Sequence, residues 1–208
     1  MVIFQKHDTK TMNIAVYTGS FNPMHIGHLS VLRYLLDEGG YDMVYLIVSP
    51  QNPFKDSSLA DSGEKRYEAA CRSIKEHGFG SRVKVDDIEL KMEAPSYTIS
   101  TLDALQKREP QNSFTLAVGG DNLHELPLWK EGKRILTQYG VVVYPRSGRD
   151  IEHDCAVLKQ QHREEELRLG KEHKALKIKL LKQAPLVDIS STQLREMLEG
   201  GKDISNFV

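Results

Sequence analysis

The chain has 208 residues, 39% of them hydrophobic, with 28 Lys+Arg against 29 Asp+Glu. It is long enough for a full core, and its near-neutral balance excludes the basic field that general nucleic-acid binding requires, so any anion site must be local. No stretch is long and apolar enough to span a membrane, and the isolated Cys71 and Cys155 read as reduced thiols of a cytoplasmic protein.

Residues 1–12 hold only a three-residue apolar run, too short for a signal peptide, and read as a loose leader before a single domain over 13–208. The first strand, NIAVYT (13–18), runs into a Gly-Ser-Phe-Asn-Pro turn and a helix over 26–37. His25 and His28 are three residues apart, which sets both imidazoles on one face of a first helical turn. A helix start has unpaired N–H groups and the positive end of the macrodipole, so it favours an anion, phosphate above all. Gly27, between the histidines, removes bulk where a ligand or another part of the chain comes close.

Further strands are expected at 43–50, 82–90, 114–120, 140–145 and 175–181, with helices over 63–77, 97–108 and 129–138. Strand alternating with helix predicts an α/β fold: a Rossmann-like, doubly wound parallel sheet with helices on both faces and a small C-terminal helical part, about 183–208. In such sheets ligands sit beyond the carboxyl ends of the strands. YTGSFNP, VSPQNPFK, AVGGDN and VVYPRSG all follow strands at that end and should converge. Residues 151–174 carry dense charge of both signs and read as an exposed helix with pairs such as Glu164–Arg168. His7, His77, His153, His162 and His173 show no ligand spacing and read as solvated. No protein metal site is expected. Near the end, Ser190 or Ser191 caps a helix that stops at Gly200-Gly201.

The HIGH stretch (25–28) after a strand and a G-S-F-N-P turn, with ISSTQLR (189–195) near the C-terminus, resembles the two signatures of the nucleotidyltransferase superfamily. Within it, APSYTISTL (94–102), GGDNLHELPLWKEGKRIL (119–136) and VVVYPRSG (141–148) are similar to the nicotinate-nucleotide adenylyltransferase family. The likeness runs from about residue 13 to the C-terminus and is weakest over 151–174. It implies adenylyl transfer from ATP to nicotinate mononucleotide in NAD biosynthesis, with Mg²⁺ accompanying ATP. It also implies roles for individual residues. Gly19, Ser20 and Phe21 would meet the ATP phosphates through backbone N–H groups, and Gly27 would admit them. His25 and His28 would hold the α- and β-phosphates. Ser190, Ser191, Thr192 and Arg195 would grip the terminal phosphates. Gly119 would help bind ATP, Asp121 would face the ribose region, and Tyr97, Thr98 and Trp129 would frame the pyridine ring. Lys55 would add a cation, although QNPFK (51–55) lacks the histidine the family commonly carries there.

The residues also admit plainer readings. Ser190 is a natural cap, Asp121 a turn acid, and Trp129, between leucines, a core residue. Two hydroxyls and an arginine fork beside a helix N-terminus favour phosphate over a bare cap. A phosphopantetheine adenylyltransferase or a cytidylyltransferase would share both signatures, though without the Tyr97-Thr98 and Trp129 frame. A class I tRNA synthetase would need tRNA-binding domains for which there is no room. A non-catalytic nucleotide-sensing module would bind ATP without turnover.

Overall fold

The computed structural model describes residues 11–50, 62–186 and 189–208. Lys55 and most of the leader lie outside that set. Ile14 through Tyr17 are buried on both faces, as a central parallel strand requires, and they form the middle of β1 (Asn13–Gly19). The chain continues through α1 (Ile26–Asp37), β2 (Met43–Val48), α2 (Gly63–Glu76), β3 (Val83–Asp86), α3 (Thr98–Arg108) and β4 (Ser113–Gly119). It then passes the short α4 (Gly120–Leu123) and α5 (Gly132–Arg134), β5 (Val141–Tyr144), α6 (Ile151–Arg168), β6 (Ile178–Leu180) and α7 (Ser191–Glu199). All five pairings are parallel, in the order β3-β2-β1-β4-β5-β6, which is the doubly wound arrangement expected.

Alternation along β1 divides the core. Ile14 and Val16 pack with Ile99, Leu102 and Leu105 of α3 and with Cys155 and Leu158 of α6. Ala15 and Tyr17 face the other way, towards Leu29, Leu32 and Leu35 of α1 and Ala70 and Ile74 of α2. Both faces are covered, and the order reverses between β1 and β4, opening a crevice at their carboxyl ends.

Three elements depart from expectation. The strand proposed over 82–90 ends at Asp86, and Ile88–Lys91 forms a 3₁₀ turn that buries Glu89. The helix proposed over 129–138 starts late. Glu131 takes a left-handed conformation (φ 53°), and Gly132 packs so closely on the Leu126 carbonyl that a Cβ there would collide with it. Trp129 is thereby left in an extended conformation between turns, and Ile135–Tyr139 widens into a π-helical turn. Residues 151–168 are helical, with Ile151, Cys155, Leu158 and His162 on the buried side. The Glu164–Arg168 pair is not made, and Glu164 accepts from Gln160 Nε2 at 2.9 Å instead. His162 is buried rather than solvated, because it continues the apolar stripe of α6.

Candidate active site

Gly19 ends β1, and the turn after it is held by its own side chains. Phe21 adopts φ 44°, a left-handed conformation that costs a non-glycine residue about 1–3 kcal/mol and persists only when its surroundings fix it. Its ring is buried edge-on against Tyr17 (5.4 Å between centroids) and His28 (5.0 Å), and lies directly over Gly19. From α2, the buried Arg66 donates to the carbonyls of Ser20 (2.6 Å), Ser49 (2.8 Å) and Pro50 (2.6 Å). One guanidinium thus ties the loop after β1 to the loop after β2.

His25 is the N-cap of α1, not its first-turn residue. Its Nδ1 accepts from the Gly27 N–H at 3.1 Å, and His28 Nδ1 accepts from the His25 N–H at 3.3 Å. The two rings lie 3.7 Å apart. With each Nδ1 used as an acceptor, the neutral imidazoles carry their proton on Nε2, leaving two N–H donors. Burial lowers the His25 pKa to about 4, helped by the Arg146 charge. Burial, His25 and Arg146 hold His28 well below the usual histidine range. Both are therefore neutral donors near pH 7. The close neighbour of Gly27 is His25 itself: a Cβ there would sit 2.9 Å from His25 Cε1.

The second signature docks on the first. Ser191 Oγ donates to the Pro23 carbonyl (3.1 Å), and Arg195 Nη1 donates to the Asn22 carbonyl (2.7 Å) while its Nη2 reaches Thr192 Oγ1 (2.9 Å). Ser190 caps α7 in a reciprocal box with Gln193. The Ile26 N–H, one of the orphan donors of α1, is taken by the Phe207 carbonyl at 2.8 Å. The N-termini of α1 and α7 thus meet at the Gly-Ser-Phe-Asn-Pro turn.

Beside this junction lies a cleft of about 730 Å³, over the carboxyl ends of β1 and β4. Gly19, Ser20, Gly119, Tyr97, Thr98 and Trp129 all line it, so these expected residues are brought together. Tyr97 opens α3 without any side-chain cap, and Tyr97 and Thr98 at that helix start both line the cleft. Lys130 Nζ stands 4.1 Å from the Tyr97 ring centre. Trp129 both lines the cleft and packs partly on the core, so its two readings are compatible. Asp121 stands apart. It opens α4 half-exposed, its carboxylate 3.9 Å from Arg146 Nε, and its neighbour Asn122 lines the cleft instead.

Sequence reasoning passed over three residues. Arg66 and Glu89 act through distant partners and leave no local pattern. Glu89 lines the cleft although it is only 4% exposed, and accepts from Thr101 Oγ1 at 2.8 Å. Burial raises its pKa against the opposing hydrogen bonds from Ser49 and Thr101. Arg146 was within the VVVYPRSG stretch, and a lone cation after a strand end near glycines was the available signal. Its Nε is buried with no hydrogen-bond partner, its guanidinium stands 5.3 Å from the Tyr144 ring centre, and its charge adds to burial in lowering the pKa of both histidines.

A doubly wound sheet whose first strand feeds paired imidazoles at a helix start, with the last helix docked on the same turn, defines a nucleotidyltransferase-type α/β protein. The cytidylyltransferase-like family model matches residues 16–197. A relative from Bacteroides fragilis strain YCH46, named "probable nicotinate-nucleotide adenylyltransferase", is 34% identical over 96% of this chain and 87% of its own. One of the same name from Flavobacterium psychrophilum is 33% identical over 93% and 90%. The chain belongs to the cytidylyltransferase-like family and, within it, to the nicotinate-nucleotide adenylyltransferases. The Plasmodium falciparum nicotinic acid mononucleotide adenylyltransferase, solved in complex with NaAD, shares the fold at a TM-score of 0.73 and 18% identity over 95% of this chain and 90% of that one.

Proposed function

We propose that the protein transfers the adenylyl group of ATP to nicotinate mononucleotide, giving deamido-NAD and pyrophosphate. The observation that carries this reading is the pair of neutral, Nδ1-anchored imidazoles at the junction of two helix N-termini, beside a cleft walled by Tyr97, Thr98 and Trp129.

The mononucleotide phosphate attacks the α-phosphorus of ATP in line, and pyrophosphate leaves. No protein nucleophile is needed; two anions must be held together and the shifting charge met by preset donors. In this reading the Nε2–H groups of His25 and His28 donate to phosphate oxygens, joined by the N–H groups of Ser20 and Phe21. Ser190, Ser191, Thr192, Arg195 and Lys55 take the leaving pyrophosphate, and Arg146 supplies a further cation. Gly119 and Asp121 serve the ribose side. The pyridine ring lies between Tyr97 and Trp129, its carboxylate received by the uncapped N–H groups at Thr98. Glu89 and Glu125 are carboxylates that line the cleft, and Mg²⁺ would enter with ATP, keeping most of its waters. When bound it offsets charge on the triphosphate.

The test is pyrophosphate release from ATP with nicotinate mononucleotide, nicotinamide mononucleotide or phosphopantetheine as acceptor. The acid mononucleotide should give the highest kcat/KM, because the amide leaves a polar mismatch at the helix start. Comparable values for acid and amide would overturn the carboxylate assignment, and faster turnover of phosphopantetheine would overturn the whole reading.

A further inference from the structure

Outside both signatures, His162 and Glu166 on the last turns of α6 meet His173 from the segment that follows, and their donor atoms all lie within 4.8 Å of one another. His162 Nε2 is 3.2 Å from Glu166 Oε1, and His173 Nδ1 is 2.6 Å from Glu166 Oε2. The Lys174 carbonyl oxygen stands 2.9 Å from the same nitrogen of His162. We propose that His162, Glu166 and His173 form a zinc site, with the Lys174 carbonyl as the fourth donor.

Three considerations lead there. A tetrahedral ion bound at 2.0–2.1 Å places neighbouring donors roughly 3.3 Å apart, close to the spacing of His162, Glu166 and Lys174. Two imidazoles and one carboxylate suit Zn²⁺ and do not suit Mg²⁺, which prefers all-oxygen, water-rich coordination. The third is position. His162 occupies the slot on α6 that continues Ile151, Cys155 and Leu158, and is only 9% exposed. An apolar side chain would serve packing better there than an imidazole aimed at a carboxylate. The cluster also sits at the C-terminal end of an 18-residue helix, where the macrodipole favours a cation.

Such an ion would fasten the connection from α6 to the short edge strand β6. Lys177, just beyond it, exchanges backbone hydrogen bonds with Leu136 and Val141. Holding residues 173–177 against α6 therefore fixes the entry of the strand. Each imidazole would place its proton on the nitrogen that does not bind the metal.

The full chain, stripped with EDTA and desalted, is titrated with ZnCl₂ against a chromophoric chelator, and its melting is followed with and without zinc. The expected result is one zinc per chain, a rise in Tm on loading, and no displacement by millimolar Mg²⁺. His162→Ala, Glu166→Gln and His173→Ala should each weaken binding by about tenfold or more. The double change His25→Ala, His28→Ala should leave zinc affinity intact, which separates this site from the nucleotide site. His173 is 55% exposed, so His173→Ala tests the proposal even if the inner variants fold poorly. No stoichiometric zinc uptake, or parental affinity in His173→Ala, would mean a plain hydrogen-bonded ion cluster and would overturn it. Neither readout depends on the nucleotide chemistry proposed above.

Discussion

Arg195 donates through one arm of its guanidinium to the carbonyl of Asn22, 173 positions earlier in the chain. The last helix is thereby latched to the turn that follows the first strand. Arg195→Ala should lower stability by about 1 kcal/mol, the ordinary worth of such bonds at a half-buried site. That corresponds to a fall in Tm of about 2–4 °C. It should also lower kcat/KM by roughly 100-fold if the remaining donors meet the leaving pyrophosphate. Arg195→Lys keeps charge without the planar fork and should fall between the two. Calorimetry and pyrophosphate release on the same preparations decide; parental kcat/KM in Arg195→Ala would reduce the residue to a latch.

The histidine pair makes stability depend on pH. In the unfolded chain an imidazole gains its proton near pH 6.5, whereas folded His25 does so only at about 4. Between those values the unfolded state binds more protons, so stability is complete above about pH 6.5 and falls as pH drops towards 4. His28 acts in the same direction. Resonances of both imidazoles, followed by NMR, should stay neutral through pH 5.5. Arg146→Ala should raise both midpoints by removing a nearby cation. A His25 midpoint near 6.5 would contradict the burial that the fold imposes.

Gly27→Ala isolates the contact inside the HIGH stretch. Alanine is the better helix former by about 1 kcal/mol, so an exposed helix would gain. Here the new methyl meets the His25 ring at 2.9 Å and must push it from its stack on His28. The expected outcome is a lower Tm together with a loss in kcat/KM of about tenfold or more. A more stable, fully active variant would show that the ring moves aside freely.

Glu89→Gln probes the cleft floor. The side chain orders Thr101, one turn into α3, and so helps place the helix start that is assigned to the nicotinate carboxylate. The substitution should raise KM for the mononucleotide about three- to tenfold and leave KM for ATP unchanged. Equal changes in both constants would point to a general loosening of the sheet edge.

The strands and the first helix were legible because a parallel sheet covered on both faces demands unbroken apolar runs, and α1 begins and ends where its periodicity does. Ser190 was legible as a cap because capping is a local matter of one side chain and the third N–H beyond it. The stretch 129–138 misled. Its pattern is helical, but the left-handed Glu131 and the contact of Gly132 with Leu126 are decided by packing across the turn. Residues 82–90 misled in the same way, since nothing local distinguishes a buried 3₁₀ turn from the end of a strand. Glu89, Arg66 and Arg146 escaped notice because each gains its meaning from a partner remote in sequence. His162 looked like one more polar residue in a charged segment until the α6 stripe set it facing inward.

The bond from the Ile26 N–H to the Phe207 carbonyl has a consequence for synthesis of the protein. The chain emerges from the ribosome N-terminus first, so the sheet can form while the donor at the start of α1 still lacks its partner. Ser191, Arg195 and Phe207 arrive only after β6, the last strand of the sheet, has been made. A nascent chain halted before residue 190 would therefore hold its core but lack half of the clasp around the HIGH turn. On the proposed reading, the grip on nucleotide would therefore be gained only after the sheet is complete, because its clasp joins residues 168 positions apart.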